Sequence, residues 1–330
     1  MRRREFITLV GGAVAWPLAG HAQPAGMRRI GVLMAYAEGD QQGLAFLAAF
    51  RKELEKLGWA EGRNVEIDIR WATAGDVESR LRFAKELVAL QPDLILSHGT
   101  PSTATILEQT RILPMIFINS SDPIGSGFVK SFNKPGGNVT GFIDLEPTMA
   151  QKWLELLKEI APGVIRCALL WNPATAPYVS KYFLDAFKAA ASSLAVEPII
   201  PSVHDAAELE AAIAAQAREP NGGLIVMPDT FTTVHRAKIT ALAAQYRLPA
   251  VYPFRFFAAV GGLLSYGGDT ADSYRRAAGY ADRILRGEKP SELPVQAPAK
   301  FQLVINLKTA KALGFTVPDK LLTVADEVIE

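Results

Sequence analysis

The chain has 330 residues, 49% of them hydrophobic and 21% charged, a composition that fits a globular protein and argues against disorder. Its 35 basic and 34 acidic residues leave a formal net charge of +1, so charge gives no reason to expect nucleic acid or an anionic membrane as a partner. One cysteine, Cys167, excludes an internal disulfide and a cysteine metal cage; it lies in the apolar run 165–171 and reads as a small buried side chain.

Arg2, Arg3 and Arg4 head an apolar stretch that runs to Leu18 and ends in Gly20-His21-Ala22-Gln23. A basic head, a short apolar core and small residues two apart describe a cleavable secretory signal over 1–22, with the mature chain starting at Gln23. The stretch is too short to span a bilayer comfortably, and none later is long and apolar enough. Arg3-Arg4 followed by Phe6-Ile7 resembles a twin-arginine signal, which would mean export after folding. The same head also suits the general secretory route, and the sequence leaves both open. No cysteine stands at the cleavage site to carry a lipid, and the expected destination is the periplasm.

From residue 29 onward, short β-branched runs alternate with longer helical ones. Strands are expected over 29–34, 65–71, 93–97 and 115–119, with helices over 41–57, 77–90 and 102–111 between them. The strands at 93–97 and 115–119 are apolar in the manner of parallel strands buried on both faces, and the alternation predicts right-handed crossovers. Lys134-Pro135-Gly136-Gly137-Asn138 breaks the rhythm before a short extended segment, 139–143. The alternation then restarts with helix 148–160, strand 166–171, helix 179–194, strand 196–200 and helix 206–218. Strand 223–227, helix 233–246 and strand 250–252 complete this second unit. Glycine pairs bracket Leu263-Leu264-Ser265-Tyr266, after which a helix over 270–286, an extended stretch over 287–298, a strand over 301–305 and a last helix over 308–313 are expected.

The fold class is therefore α/β, with two Rossmann-like, doubly wound lobes. Segments 139–143, 263–266 and 301–305 are expected to cross between the lobes, glycine letting the chain bend where domains swing. The division puts 27–140 plus 268–298 in the first lobe and 141–267 plus 299–330 in the second.

In such sheets a ligand binds beyond the carboxyl ends of the strands. That rule selects the loops 35–40, 98–102, 119–123, 171–175, 228–230, 252–255 and 266–269. His98-Gly99-Thr100-Pro101-Ser102 leads from a strand into a helix whose free N–H groups favour an anion, so Gly99, Thr100 and Ser102 are candidates to hold a ligand carboxylate; simple helix capping explains the same residues. Asn119 and Ser120 end the next strand and could serve the same anion, while Asp122 shapes the turn before Pro123. Asp229, in the turn Pro228-Asp229-Thr230, suits either a ligand ammonium or an N-cap. Tyr36, Trp171, Tyr252, Phe254 and Tyr266 fall at strand ends, where aromatic side chains either wall a pocket or pack in the lobes.

The enzyme motifs are missing: there is no G-x-G-x-x-G between the first strand and helix, no phosphate-binding P-loop, no H-E-x-x-H and no G-x-S-x-G. His98, His204 and His235 are scattered and read as surface or loop histidines. No cofactor and no metal are expected.

Lys134-Pro135-Gly136-Gly137-Asn138-Val139-Thr140-Gly141, Leu170-Trp171-Asn172-Pro173 and Gly262-Leu263-Leu264-Ser265-Tyr266-Gly267 resemble the ABC transporter substrate-binding protein family of the tryptophan/tyrosine-binding type. The tail, from Ile284-Leu285-Arg286-Gly287-Glu288-Lys289-Pro290 through Asn306-Leu307-Lys308-Thr309-Ala310, resembles it too, so the likeness spans the mature chain. The resemblance implies a type I periplasmic-binding-protein fold, with three linking segments and a small-molecule ligand in the cleft. It also implies partners on separate chains, an ABC permease and its ATPase subunits, and a non-enzymatic role. Carried over by motif, Thr100, Ser102, Ser120 and Asp229 would hold the amino and carboxyl groups of an amino-acid-like ligand. The leader departs from that of lipoprotein members in lacking a lipid-bearing cysteine. A monomer that closes about its hinge is expected. Two other readings stay open at this point, a hydrolase or isomerase using Asp122 and Asp229 as acid and base, and a sensor domain serving a separate receptor.

Overall fold

The computed structural model describes residues 26–330 apart from Ala74 and Tyr178, and the side chain of Ser180. The expected signal, its arginine pair and the cleavage point at Ala22 lie outside the described residues.

Among the described residues the strands form two sheets. The first holds β1 (Arg28–Met34), β2 (Val65–Trp71), β3 (Leu94–His98), β4 (Met115–Ser120) and β5 (Val139–Ile143), all parallel, in the order β2-β1-β3-β4-β5. Helices α1 (Gln41–Lys56), α2 (Val77–Ala89) and α3 (Thr100–Gln109) make its crossovers. β3 and β5 are buried at every position, as strands covered on both faces must be. α1 starts at Asp40, whose carboxylate accepts from the N–H groups of Gln42 and Gly43, and it buries Gly43, Phe46, Leu47, Phe50 and Leu54. That three-and-four spacing puts one apolar stripe on the sheet.

The second sheet contains β6 (Arg166–Leu170), β7 (Glu197–Ile199), β8 (Gly222–Val226), β9 (Ala250–Tyr252), β10 (Leu264–Gly268), β11 (Phe301–Asn306) and β12 (Glu327–Ile329), in the order β12-β11-β10-β9-β8-β6-β7. Its first five strands in sequence repeat the winding of the first sheet; β11 then adds antiparallel to β10, and β12 parallel to β11. The antiparallel pair departs from a purely parallel sheet. Helix α4 (Met149–Ile160) leads into β6, and α5 (Val179–Tyr182), α6 (Leu184–Ser193), α7 (Ala206–Ala217), α8 (Thr230–Val234), α9 (Arg236–Gln245) and α10 (Arg255–Ala259) lie between the strands that follow. α11 (Thr270–Leu285) returns to pack on α1, β3, β4 and β5, while α12 (Leu307–Leu313) and α13 (Asp319–Val324) stay with the second sheet's end of the chain.

The crossings lie elsewhere than expected. β5 belongs wholly to the first sheet, three residues past the expected boundary at 140, so the chain leaves that lobe through 144–148. Strands β10 and β11 both sit in the second sheet, and the chain passes between lobes at 269 and again at 298–300. Backbone pairing decides this: a strand buried in a ladder cannot also serve as a free linker. The expected helix 179–194 is interrupted at Phe183, which is fully buried 6.0 Å from the Trp153 ring. The helix expected from 233 starts at Thr230 and breaks at His235.

Candidate functional site

The order 2-1-3-4-5 has its topological switch between β1 and β3, where successive crossovers leave the sheet in opposite directions and open a crevice at the strands' carboxyl ends. β6 and β8 form the matching switch in the second sheet. The two crevices face each other. Tyr36 follows β1, His98 ends β3, Thr100 opens α3, Asn119 lies near the end of β4 and Asp144 follows β5; from the other lobe come Pro228, Asp229, Thr230, Thr233 and Phe254. Together they line a narrow cleft whose free volume in this structure is only about 20 Å³, room for a water-sized group, so an organic ligand needs the lobes to part before it can enter.

The first lobe presents a polar floor. α3 begins at Gly99 without any side-chain cap, so its first-turn N–H groups are available to a ligand anion. Thr100 Oγ1 accepts the Ser121 N–H at 3.1 Å, which leaves its own proton free to donate elsewhere. Asn119 Nδ2 donates to Thr270 Oγ1 at 3.2 Å. His98 is buried among Tyr36, Phe46 and Tyr274, with Nδ1 2.9 Å from the Tyr274 hydroxyl, and burial pushes its pKa down to about 3. It is a neutral ring.

Two carboxyls face this space, and both are pushed up to about 6, chiefly by burial. Asp144 accepts from Leu145 N–H at 2.8 Å and from the Ser121 hydroxyl, whose oxygen lies 2.9 and 2.8 Å from its two oxygens. Asp229 accepts from Asn172 N–H at 2.9 Å, Thr175 O–H at 2.6 Å and Phe231 N–H at 3.0 Å. It ties the end of β6 to the end of β8 and caps α8. The lining contains no Lys or Arg.

The lobes touch across the crevice. Arg236 Nη2 of α9 pairs with Asp40 Oδ2 of the first lobe at 2.8 Å. Gly99, at φ +80°, lies so close to the second lobe that a Cβ there would stand 2.9 Å from Thr230 Cγ2. Ser102 Oγ, Thr230 Oγ1 and Trp171 Nε1, all near strand ends, are buried without a protein partner. A larger hollow of about 250 Å³ lies at the amino end of the second sheet, lined by Val164, Pro220, Arg247 and Phe315 among others. None of the buried, unpartnered polar atoms belongs to it.

Of the residues expected from sequence, Tyr36, Thr100, Asn119 and Asp229 line the cavity, and Gly99 stands beside it. Ser102 is fully buried in the first turn of α3, just behind the lining. Ser120 Oγ is bound 3.2 Å from Thr103 Oγ1, which in turn meets Ser97, so that hydroxyl serves the interior. Trp171 is core at the crevice edge. Tyr252 stacks on Phe257 and Tyr266 on Phe301, both away from the cavity. His98, read as a surface or loop histidine, ends β3, is buried and lines the cleft, whereas His204 is exposed and His235 half-buried. Asp122 caps the Gly125 N–H in a turn outside the cavity lining, so it forms no acid–base pair with Asp229. Asp144 escapes the sequence reading because 139–143 has the look of a linker; the strand-end rule points to it once β5 is placed in the sheet.

The sequence profile of the ABC transporter substrate binding protein family matches residues 33–329. The chain belongs to this family. A relative, the tyrosine-binding protein of Clostridioides difficile (strain R20291), is 28% identical over 264 residues, 80% of this chain and 75% of that one. The ABC domain in complex with L-Trp from Streptococcus pneumonia is 27% identical and superposes with a TM-score of 0.84, covering 92% of this chain and 100% of that one. The ligand-free, open structure of a substrate binding protein with adhesive properties from Clostridium difficile is 25% identical, with a TM-score of 0.68 over 92% of this chain and 99% of that one. At nearly equal identity and coverage, this family member is closer in shape to the L-Trp complex than to the open form. Solute binding for an ABC transporter is the family's work, and the cleft between the lobes is where this chain has the means for it. Among the described residues no helix is long and apolar enough to cross a membrane, and no group of three His, Cys, Asp or Glu could hold a metal.

Proposed function

We propose that the chain is the exported, monomeric solute-binding component of an ABC importer, and that its cleft closes on an amino-acid-like ligand. It would deliver that ligand to a separate permease and ATPase without chemical turnover. The observation that carries this reading is the facing pair of switch points, with the uncapped start of α3 and the Thr100 hydroxyl suited to a carboxylate and two buried acids suited to an ammonium. The L-Trp named for one relative and the tyrosine named for another make an aromatic amino acid the first ligand to try. Tyr36, His98 and Phe254 supply aromatic surface for its ring.

Closure would swing 26–143 plus 270–297 against the rest, about the three linkers. The basic leader supports export to the periplasm with cleavage after Ala22. Calorimetry of the purified mature protein against the twenty amino acids tests the function: L-tryptophan or L-tyrosine should bind, be recovered unchanged and raise the melting temperature. No binding by any amino acid, or a chemically altered ligand, overturns the reading. Intact mass of protein from a periplasmic extract tests the export, since a species retaining Met1 contradicts it.

A further inference from the structure

We infer that Asp144 is the cleft's cation-binding residue, so that the site selects solutes carrying a protonated amine, and that its place at the start of a linker couples occupancy to closure. The inference rests on the proposed amino-acid-like ligand and says which group binds it and how the hinge senses it.

A carboxylate offers about four acceptor positions. Asp229 has three donors from its own lobe, and they account for it as the knot between β6 and β8. Asp144 has two. The Ser121 hydroxyl lies within reach of both its oxygens but carries one proton, and the Leu145 N–H serves Oδ1. Asp144 has only 5% of its surface exposed, and it lines the cavity. No protein cation answers it: the lining has no Lys or Arg, Arg236 is engaged with Asp40, and burial keeps His98 neutral. A buried acid with a vacant acceptor position and no counter-ion is completed by a ligand ammonium.

The linkers converge at the same residue. A Cβ on Gly268, at the end of β10, would stand 3.2 Å from the Asp144 carbonyl oxygen and 2.9 Å from Pro298. Asp269 N–H donates to Lys300 O at 3.0 Å, joining the second and third passages. A ligand bound to Asp144 therefore holds the first linker where it meets the other two.

The test is calorimetry with L-tryptophan, tryptamine (amine, no carboxylate) and indole-3-propionate (carboxylate, no amine) on the wild type, Asp144→Asn, Ser121→Ala and Asp229→Asn. The wild type should bind both amines and prefer L-tryptophan to indole-3-propionate. Asp144→Asn keeps shape and acceptor but not charge; it should weaken both amines about ten- to a hundredfold and leave indole-3-propionate unchanged. Ser121→Ala removes the structural tie and should keep the preference for amines. Melting temperatures confirm that each variant is folded. If Asp144→Asn weakens all three probes alike, or if Ser121→Ala reproduces it, Asp144 is structural and the inference falls. If L-tryptophan binds but Asp229→Asn alone abolishes the amine preference, this inference fails while the proposed function stands. A wild type that takes neither amine overturns both.

Discussion

Thr100 carries two loads at once. Its oxygen accepts the Ser121 N–H, fixing the loop that also bears the hydroxyl bound to Asp144, while its proton is free for the ligand. Thr100→Val removes both, stranding a buried N–H at a cost of about 1–3 kcal/mol of stability. Affinity for L-tryptophan should also fall about tenfold or more, with tryptamine unaffected because it has no carboxylate to lose. Denaturant unfolding and calorimetry separate the two effects, and Thr100→Ser should restore both. The buried acids make a second prediction at this scale. Burial raises Asp144 and Asp229 to about 6, above the ordinary value of about 3.9 expected in the unfolded chain. Below about pH 4 both states hold these protons and stability is undiminished. As pH rises to about 6 the unfolded chain releases them first, so the ligand-free protein loses up to roughly 3 kcal/mol for each group. Asp144→Asn should therefore gain on the wild type in ligand-free urea midpoint between pH 4 and 7.5. Parallel wild-type and variant curves would contradict this. A bound amine reverses the trend, since it favours the ionised acid.

Elements in this chain follow their local signals where they are long and lose them where they are short. α1 and α11 begin at Asp caps and carry apolar stripes at helical spacing, and both lie close to where the pattern puts them. α10, α13 and β12 are too short for a periodicity to be read. Glycines show the contrast between a local and a tertiary requirement. Gly268 sits where the linkers meet, and Gly268→Ala has to push Pro298 and the Asp144 carbonyl apart. It should lower the melting temperature and weaken L-tryptophan together. Gly279 lies inside α11, and a Cβ added there would have nothing within 4 Å, so Gly279→Ala should stabilise by about 0.5–1 kcal/mol and leave binding alone. Differential scanning of the pair checks both signs.

At the scale of the whole molecule, the two sheets meet around a cavity, and one hydrophobic cluster runs through both lobes. Polar bridging between them is sparser. The Arg236–Asp40 pair is the clearest example, at 18% and 15% side-chain exposure, and Arg236 Nη1 also donates to Thr233 O beside the cleft. A partly exposed pair is worth about 1 kcal/mol, so Arg236→Gln should weaken L-tryptophan about fivefold, mainly through faster release. Small-angle scattering should show the unliganded variant more extended than the wild type. Identical profiles and affinities would mean that the pair adds nothing to closure.

Composition and alternation alone were enough to establish an α/β chain of two lobes, because burial on both faces and crossover length leave their mark on consecutive residues. The strand-end rule also reached Tyr36, Thr100, Asn119 and Asp229, since each follows or ends a strand that is apolar enough to recognise. What the sequence could not decide is which strand pairs with which. That is a matter of contacts between residues far apart in the chain, and it moved 139–143 from linker to sheet, turned Tyr252 and Tyr266 into core, and brought His98 inside. It also placed Asp144 in the cleft and at the hinge together. No local pattern separates an acid after a linker from an acid at the mouth of a binding site; only the packing of β5 against β4, and of the second lobe across from it, does so.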